Sequence, residues 1–487
     1  MKPPSSLSSS ASAATLLSLS SSAASRFEAS INAFVARGHD DADALKAAGE
    51  SDERRRTGRP LSRLDGVPFA AKANFADGGR FGTTCGSRAL DSYVSSFSAT
   101  AVSRLIDAGL IHVGSTNMDE FGMGSHGSHS FHGPTKNPLC ASLSPGGSSS
   151  GSAAAVAYGG CGVALGSDTG GSVRLPAAWC GVVGIKPTYG RVSRHGLVAY
   201  ASSLDCPGVL APTVKDAALA LALIAGPDGR DAQCLDDESF GERIDESLVH
   251  SDLAGVTVGV PLEFYTEQVE PSVAAAWQSA IDAAQAAGAD VRVVSLPSVM
   301  HALPAYYVLA SAEASSNLAR YDGVRYGKGG EGEASPDSSN EWLEQTGDAK
   351  AFHRMLCSRR SAFFGKEVHR RLLAGSYVLS KGAAPQFYER AVSLRHHLCR
   401  EFASAFDSVD AMLAPVAATL PVSSDANDDD DVLQSYATDV MTVPASLAGI
   451  PAISVPCGSK VGSSVQVMAA HGDEATMVRV ARAVEGC

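Results

Sequence analysis

Between Leu165 and Arg174 the chain reads LGSDTGGSVR, with two glycines directly before Ser172. One glycine satisfies a turn. A pair implies that the backbone approaches something closely and turns several N–H groups the same way. A serine on such a loop is a candidate nucleophile, and the N–H groups of Thr169, Gly170, Gly171 and Ser172 are candidates for an oxyanion-binding cradle. Such donors typically contribute about 2.7–4 kcal/mol each when negative charge develops on a carbonyl oxygen. Ser172 attacks a carbonyl only if a base takes its proton. Two upstream features answer that need without a histidine: a Gly-Gly-Ser-Ser-Ser-Gly run at Gly146–Gly151, and Lys72 after an apolar run of Val67, Pro68, Phe69, Ala70 and Ala71. A lysine acts as base near pH 7 only when its pKa falls several units below ~10.4, and burial among apolar neighbours achieves this. Ser148 can bridge, taking the proton from Ser172 and passing it to Lys72. Singly, each feature has a plainer explanation: a solvated lysine at a strand end, a linker, a turn. Together they form a proton relay.

The elements that must hold these groups alternate between helix and strand. DGVPFAAKANF reads as a strand ending near Lys72, SATAVSRLIDAGL from Ser98 as an amphipathic helix, and IHVGSTN as a strand entering a loop. SAAAVAYGG reads as a short Ala-rich helix, and CGVALGSDTGG as a strand feeding the Ser172 loop. Val214–Gly226 and VAAAWQSAIDAAQAAGA read as helices; Gly255–Pro261, DVRVVSLP and AGIPAISVPCG read as strands. The pattern is α/β throughout. Ala13 to Ala36 carries helical spacing, and Arg37 to Arg63 reads as a charged linker. The acidic stretch at about 328–348 is expected to be a surface insertion, and Asp425–Asp431 a solvated loop. No internal repeat appears and no linker divides the chain, so residues 12–487 are taken as one domain after a flexible or targeting segment at 1–11. The first 25 residues are rich in Ser and lack acids, as transit peptides do, but Lys2 is their only basic residue. A frayed N-terminus is the plainer alternative.

Composition bounds what the chain does. Its 39 Lys+Arg against 52 Asp+Glu give −13, and ERRR (Glu53–Arg56) and HRR (His369–Arg371) are the densest basic patches. Direct gripping of nucleic acid is disfavoured, although a partner could bring RNA. Ten cysteines without a C-x-x-C pair suit neither a zinc ribbon nor a secreted disulfide framework, which favours a reducing compartment. No run of ~18 uncharged apolar residues suggests a membrane span. GMGSHG (Gly122–Gly127) matches G-x-G-x-x-G without a preceding strand, and GSSSG (Gly147–Gly151) matches a nucleophile elbow without one. His126, His129 and His132 lie three apart in a Gly/Ser loop, where no helix aligns them as metal ligands, so no metal is expected.

GGSSSGSAAAV, ALGSDTGGSVRLPAAWCGVVGIKPTYG and the 24 residues from Ser148 to Ser172 resemble the amidase signature family. The resemblance implies Ser172 as nucleophile, Ser148 as a serine on a cis peptide bond, Lys72 as base, and a single α/β/α domain around a mixed, twisted sheet. Ser150 departs from the family's usual glycine. Further stretches, among them TNMDEFGMGS, GPTKNP, AYYVLASAEASSNLARYDGVRYG and TVPASLAGIPAISVPCG, are similar to the A subunits of glutamyl-tRNA(Gln) amidotransferases from about Leu64 onward. That likeness implies a glutamine substrate held by Tyr306, Arg371 and Asp439, with Arg370 the alternative arginine. An arginine fork suits an α-carboxylate, and a carboxylate suits an α-ammonium. It also implies ammonia delivered to a partner that uses ATP and Mg to amidate Glu-tRNA(Gln), no cofactor on this chain, and a heterotrimer with B and C subunits in which the partner carries the tRNA. SSLDCPG and SRHG look more like mitochondrial than bacterial forms, so the mitochondrial matrix is expected, with plastid stroma or cytoplasm as alternatives. Three rivals stand beside this reading: a free-standing amidase for acyl or aryl amides, a scaffold with a dead site, and a cysteine glutaminase using Cys85 or Cys180.

Overall fold

A computed structural model of the protein describes residues 11–250, 252–326, 349–424 and 432–487. The insertion expected at 328–348 and the acidic loop at 425–431 lie outside the described residues, as does all but the last residue of the segment 1–11.

The apolar runs become strands because the middle of the sheet is covered on both faces, so continuous rather than alternating hydrophobicity is what it needs. Eleven strands form one sheet: β1 (Phe34–Arg37), β2 (Pro68–Lys72), β3 (Ile111–Thr116), β4 (Val163–Asp168), β5 (Val183–Lys186), β6 (Cys206–Ala211), β7 (Thr257–Pro261), β8 (Asp290–Val294), β9 (Ala411–Pro415), β10 (Ala452–Pro456) and β11 (Ser464–Ala469). Their order is β1-β3-β2-β4-β6-β5-β10-β11-β9-β7-β8. β2 runs parallel to β3 and β4, and β7 parallel to β8 and β9; the other pairings are antiparallel.

Side chains alternate across a strand, and the core splits accordingly. Phe69 and Ala71 of β2, Val163 and Leu165 of β4 and Val209 of β6 join one large cluster with the helices Val214–Ile224, Pro271–Ala286, Ala302–Asn317 and Glu474–Val484. Ala70, Ala164 and Leu210 join a second cluster with the helices Ala13–Ile31, Ala42–Arg56, Ser150–Ala157 and Arg174–Cys180. The architecture is therefore a mixed sheet between two helical layers, the α/β class expected.

Two local readings are corrected. The helix from Ala13 ends at Ile31, where Asn32 takes a left-handed conformation (φ 59°), and Phe34–Arg37 is an edge strand antiparallel to β3. The charged linker contains the helix Ala42–Arg56, N-capped by Asp41 and anchored by Arg54, whose guanidinium chelates buried Asp65 at 2.7 and 2.9 Å. Its buried face is only Ala44, Ala48 and Ser51, too small to stand out as an apolar stripe. Cys457 and Cys487 are joined as a disulfide, the one pair among the described cysteines. No helix among the described residues is long and apolar enough to cross a membrane.

Candidate active site

Because β2 and β4 are parallel neighbours, their carboxyl ends open on the same side of the sheet, the usual place for a site in such folds. Lys72 is the last residue of β2 and is fully buried. Its Nζ lies 2.8 Å from Ser148 Oγ, 2.9 Å from Ser167 Oγ and 3.3 Å from the Ser167 carbonyl oxygen. Burial pulls its pKa from 10.5 down to about 7, against the opposing charges of Asp119, Asp168 and Asp205. A neutral amine has two N–H donors and one lone pair. Those donors match the two oxygens of Ser167, and the lone pair matches the Ser148 hydroxyl proton. Asn74, two residues past the strand, also donates to Ser167 Oγ at 3.0 Å and fixes that hydroxyl from the other side.

Ser148 is fully buried and follows a cis Gly147–Ser148 peptide bond. Its carbonyl accepts from the Asp119 N–H at 3.2 Å, while the Asp119 carboxylate accepts from the N–H groups of Gly127 and His129. The next N–H, of Ser149, donates to the carbonyl of Ser172 at 3.1 Å, tying the two serine segments together. Ser150 is accommodated: its Oγ donates to Thr135 Oγ1 at 3.2 Å. The room comes from Gly127, where an added Cβ would lie 2.7 Å from the Ser150 Cβ.

The double glycine in front of Ser172 is explained by its neighbours. A Cβ at Gly170 would lie 2.6 Å from Tyr306 Cζ, and one at Gly171 would lie 2.2 Å from Thr442 Oγ1. Beneath the loop, Asp168 accepts from the N–H groups of Val173 and Arg174 and from the Arg174 guanidinium, a wholly buried ion pair at 3.0 Å. Burial alone would raise the Asp168 carboxyl, but the Arg174 charge outweighs it and holds the group below the usual range. Arg174 also reaches Gln466 Oε1 and the Thr442 carbonyl, so the loop is clamped from below. Among the described residues, the N–H groups of Thr169, Gly170, Gly171 and Ser172 donate to no protein acceptor. Ser172 is partly exposed while Lys72 and Ser148 are buried, so of the three it is Ser172 that reaches the surface.

Tyr306, Arg371 and Asp439 gather at the same place. All are buried, and Tyr306 lies against Gly170. The Arg371 guanidinium sits 4.9 Å from the Tyr307 ring centre and 5.2 Å from that of Tyr436, donates to Glu367 Oε1 at 2.7 Å, and donates to Tyr200 Oη at 2.6 Å. Asp439 accepts from Tyr307 Oη at 3.1 Å and Ser125 Oγ at 2.8 Å; burial raises its pKa, and Ser125 and Arg371 oppose the rise. Burial would also raise Glu367, but Arg371 holds it below the usual range. Arg370, by contrast, is one-third exposed and bonds Glu367 and Tyr436. Arg371 is thus the more enclosed of the two arginines and the one packed against the Tyr307 and Tyr436 rings. A narrow cleft beside them is lined by Ser125, Glu367, Tyr436 and both arginines, Arg370 and Arg371.

Sequence reasoning had not singled out Asn74, Ser167, Asp168, Arg174, Tyr200, Asp205, Tyr307 or Glu367. Ser167, Asp168 and Arg174 sit inside the quoted LGSDTGGSVR motif and could have been found there; the others are joined only by the tertiary fold. The rival thiols fare differently. Burial pushes both Cys85 and Cys180 far above the usual thiol range, which opposes a thiolate nucleophile. The loop histidines face separate neighbours, His126 bonding Thr438 and stacking on Trp179, and His132 bonding Thr84. Among the described residues no group of three or more His, Cys, Asp or Glu is set to hold a metal ion.

A buried amine, two serines and an N–H cradle at the ends of parallel strands define an amide-processing class of enzyme, and the chain belongs to the amidase signature family, matching its Amidase description over residues 15–478. Within that family it is 43% identical over 460 residues to the A subunit of the glutamyl-tRNA(Gln) amidotransferase of Acidobacterium capsulatum, covering 93% of this chain and 91% of that one. It is 47% identical over 426 residues to the protein of the same name from Natronomonas pharaonis, covering 86% and 95%. The crystal structure of the corresponding glutamyl-tRNA(Gln) amidotransferase A subunit from Thermotoga maritima superposes with a TM-score of 0.76 at 33% identity, over 97% of this chain and 91% of that one.

Proposed function

We propose that this chain is the glutamine-hydrolysing component of a glutamyl-tRNA(Gln) amidotransferase. Ser172 Oγ attacks the side-chain amide carbon of glutamine while its proton passes to Ser148 and that of Ser148 to Lys72. The oxyanion forms against the N–H groups of Thr169 to Ser172. Lys72 and Ser148 return the proton to the departing nitrogen, which leaves as ammonia, and water then hydrolyses the Ser172 ester to free glutamate. Arg371 takes the α-carboxylate, Asp439 the α-ammonium, and Tyr306 lines the passage between the clamp and Ser172. One observation carries the reading: a buried arginine and a buried aspartate, a pair suited to an amino acid's backbone groups, share a tyrosine wall that rests on the Ser172 loop. The names of the relatives support it.

The finer assignments follow from the same reading. The chain works in a heterotrimer with B and C subunits. The partner binds ATP and Mg and carries the tRNA, consistent with the acidic charge of −13 here. The chain resides in the mitochondrial matrix, a placement supported by SSLDCPG and SRHG and tested by cell fractionation. The decisive experiment is Ser172→Ala in the purified complex. Glutamine-dependent amidation is expected to vanish while ammonium-dependent amidation persists; loss of both refutes the division of labour. Against a free-standing amidase, Arg371→Ala is expected to lower kcat/KM for glutamine by at least tenfold, and unchanged turnover would favour the free-standing enzyme.

A further inference from the structure

Asp205 stands just before β6 and is buried (5% exposed) between two parts of the site that otherwise have separate duties. Its Oδ1 accepts from Thr169 Oγ1 at 3.1 Å and from the Ala201 N–H at 3.1 Å. Its Oδ2 accepts from the Tyr200 N–H at 2.9 Å. Thr169 opens the loop that ends at Ser172. Tyr200 is itself buried (4% exposed), and its hydroxyl accepts from Arg371 Nη1 at 2.6 Å. One carboxylate is thus bonded directly to the loop where the amide is cleaved and directly to the residue that seats the arginine. A carboxylate with three converging donors away from water holds them strongly, and removing it leaves those donors without a partner. Misplacement of reacting groups by about 1 Å costs about 10²-fold in rate.

We propose that Asp205 is a positioning residue that couples the Ser172 loop to the Arg371 clamp, so that binding of the amino-acid end of glutamine and cleavage of its amide depend on the same buried group. The proposal rests on the glutaminase reading given above. It makes Thr169 the arm that acts on kcat and Tyr200 the arm that acts on KM, with Asp205 acting on both.

The test is steady-state glutamine hydrolysis by the full chain together with the proteins that co-purify with it. Thr169→Val is expected to lower kcat at least tenfold with KM within twofold of wild type. Tyr200→Phe is expected to raise KM at least fivefold with kcat within twofold. Asp205→Asn is expected to lower kcat at least tenfold and raise KM at least fivefold. Adding Thr169→Val to Asp205→Asn is expected to lower kcat by no more than a further twofold, because both remove one linkage. A purely structural Asp205 would lower the melting temperature and leave the kinetics of the folded fraction intact, and that outcome overturns the proposal. So does a change in kcat alone, in KM alone, or a double variant whose losses multiply. Should Asp205→Asn fail to fold, Asp205→Glu decides, since it keeps the charge but displaces the carboxylate: kcat is expected to fall and KM to rise, each at least threefold, and a change confined to one of them overturns the coupling. Ser172→Ala separates the two levels. If it retains glutaminase activity, the functional reading fails; if it is inactive while Asp205→Asn matches wild type, only the coupling fails.

Discussion

On the proposed mechanism Lys72 gives turnover an acidic limb, in the same range where buried Asp205, raised to about 7, also titrates. With its pKa near 7, the amine is half protonated at neutrality, and only the neutral form accepts the relayed proton. Glutamine turnover is therefore expected to rise with pH through about 7 and, one unit below it, to be about tenfold lower than on the high-pH plateau, read from the acidic limb of a kcat profile. Stability carries the same sign. The folded pKa lies below the unfolded one, so between about 7 and 10.5 the unfolded chain binds more protons and stability rises with pH. The slope from this one group approaches about 1.4 kcal/mol per pH unit within that window. Lys72→Met is expected to remove that part of the slope, measured as urea midpoints at pH 7 and pH 9. Ser148→Ala breaks the relay between the amine and Ser172, and kcat is expected to fall by about 10²–10⁴ while the melting temperature changes little.

Among the elements, the helix Ser150–Ala157 is packed closely enough that side-chain size can be predicted to the methyl group. A Cβ at Gly151 would lie 2.3 Å from the Ala33 carbonyl oxygen and 2.5 Å from the Asn117 nitrogen, both backbone atoms that cannot step aside. Gly151→Ala is expected to destabilise the fold by about 1–3 kcal/mol, seen as a lower melting temperature, with activity in the surviving folded fraction. The same packing explains what could be read from the chain beforehand. Ser148 and Ser172 stood out as candidates because each lies in a compact glycine-marked motif, and Lys72 because it ends an apolar run; the structure brings Lys72 and Ser148 to 2.8 Å. Asp205 and Tyr200 did not stand out, because their roles depend on β6 pairing with β4 and so bringing residues from beyond position 200 against Thr169. The helix Ala42–Arg56 was missed because its contact face is two alanines and a serine, while its ERRR end reads as solvated charge. β1 was missed because four residues at a sheet edge carry too little pattern to separate them from the preceding helix.

For the whole molecule, the single sheet predicts one unfolding unit despite the chain's length. Trp179 and Trp277 are buried at separate points of the architecture, on the helices Arg174–Cys180 and Pro271–Ala286. In the variants Trp179→Phe and Trp277→Phe, fluorescence and circular dichroism are expected to give coincident urea transitions; separate midpoints would mean that the two ends of the sheet unfold independently. The Ser150–Gly127 contact has a consequence of another kind, for tolerance of substitution rather than mechanism. With Ser150 present, Gly127 has no space for a methyl group and also holds a positive φ of 73°. Gly127 is therefore held twice over, by the Ser150 and Pro145 side chains and by its own backbone angle, and a change of Ser150 to glycine would lift only the first of these constraints.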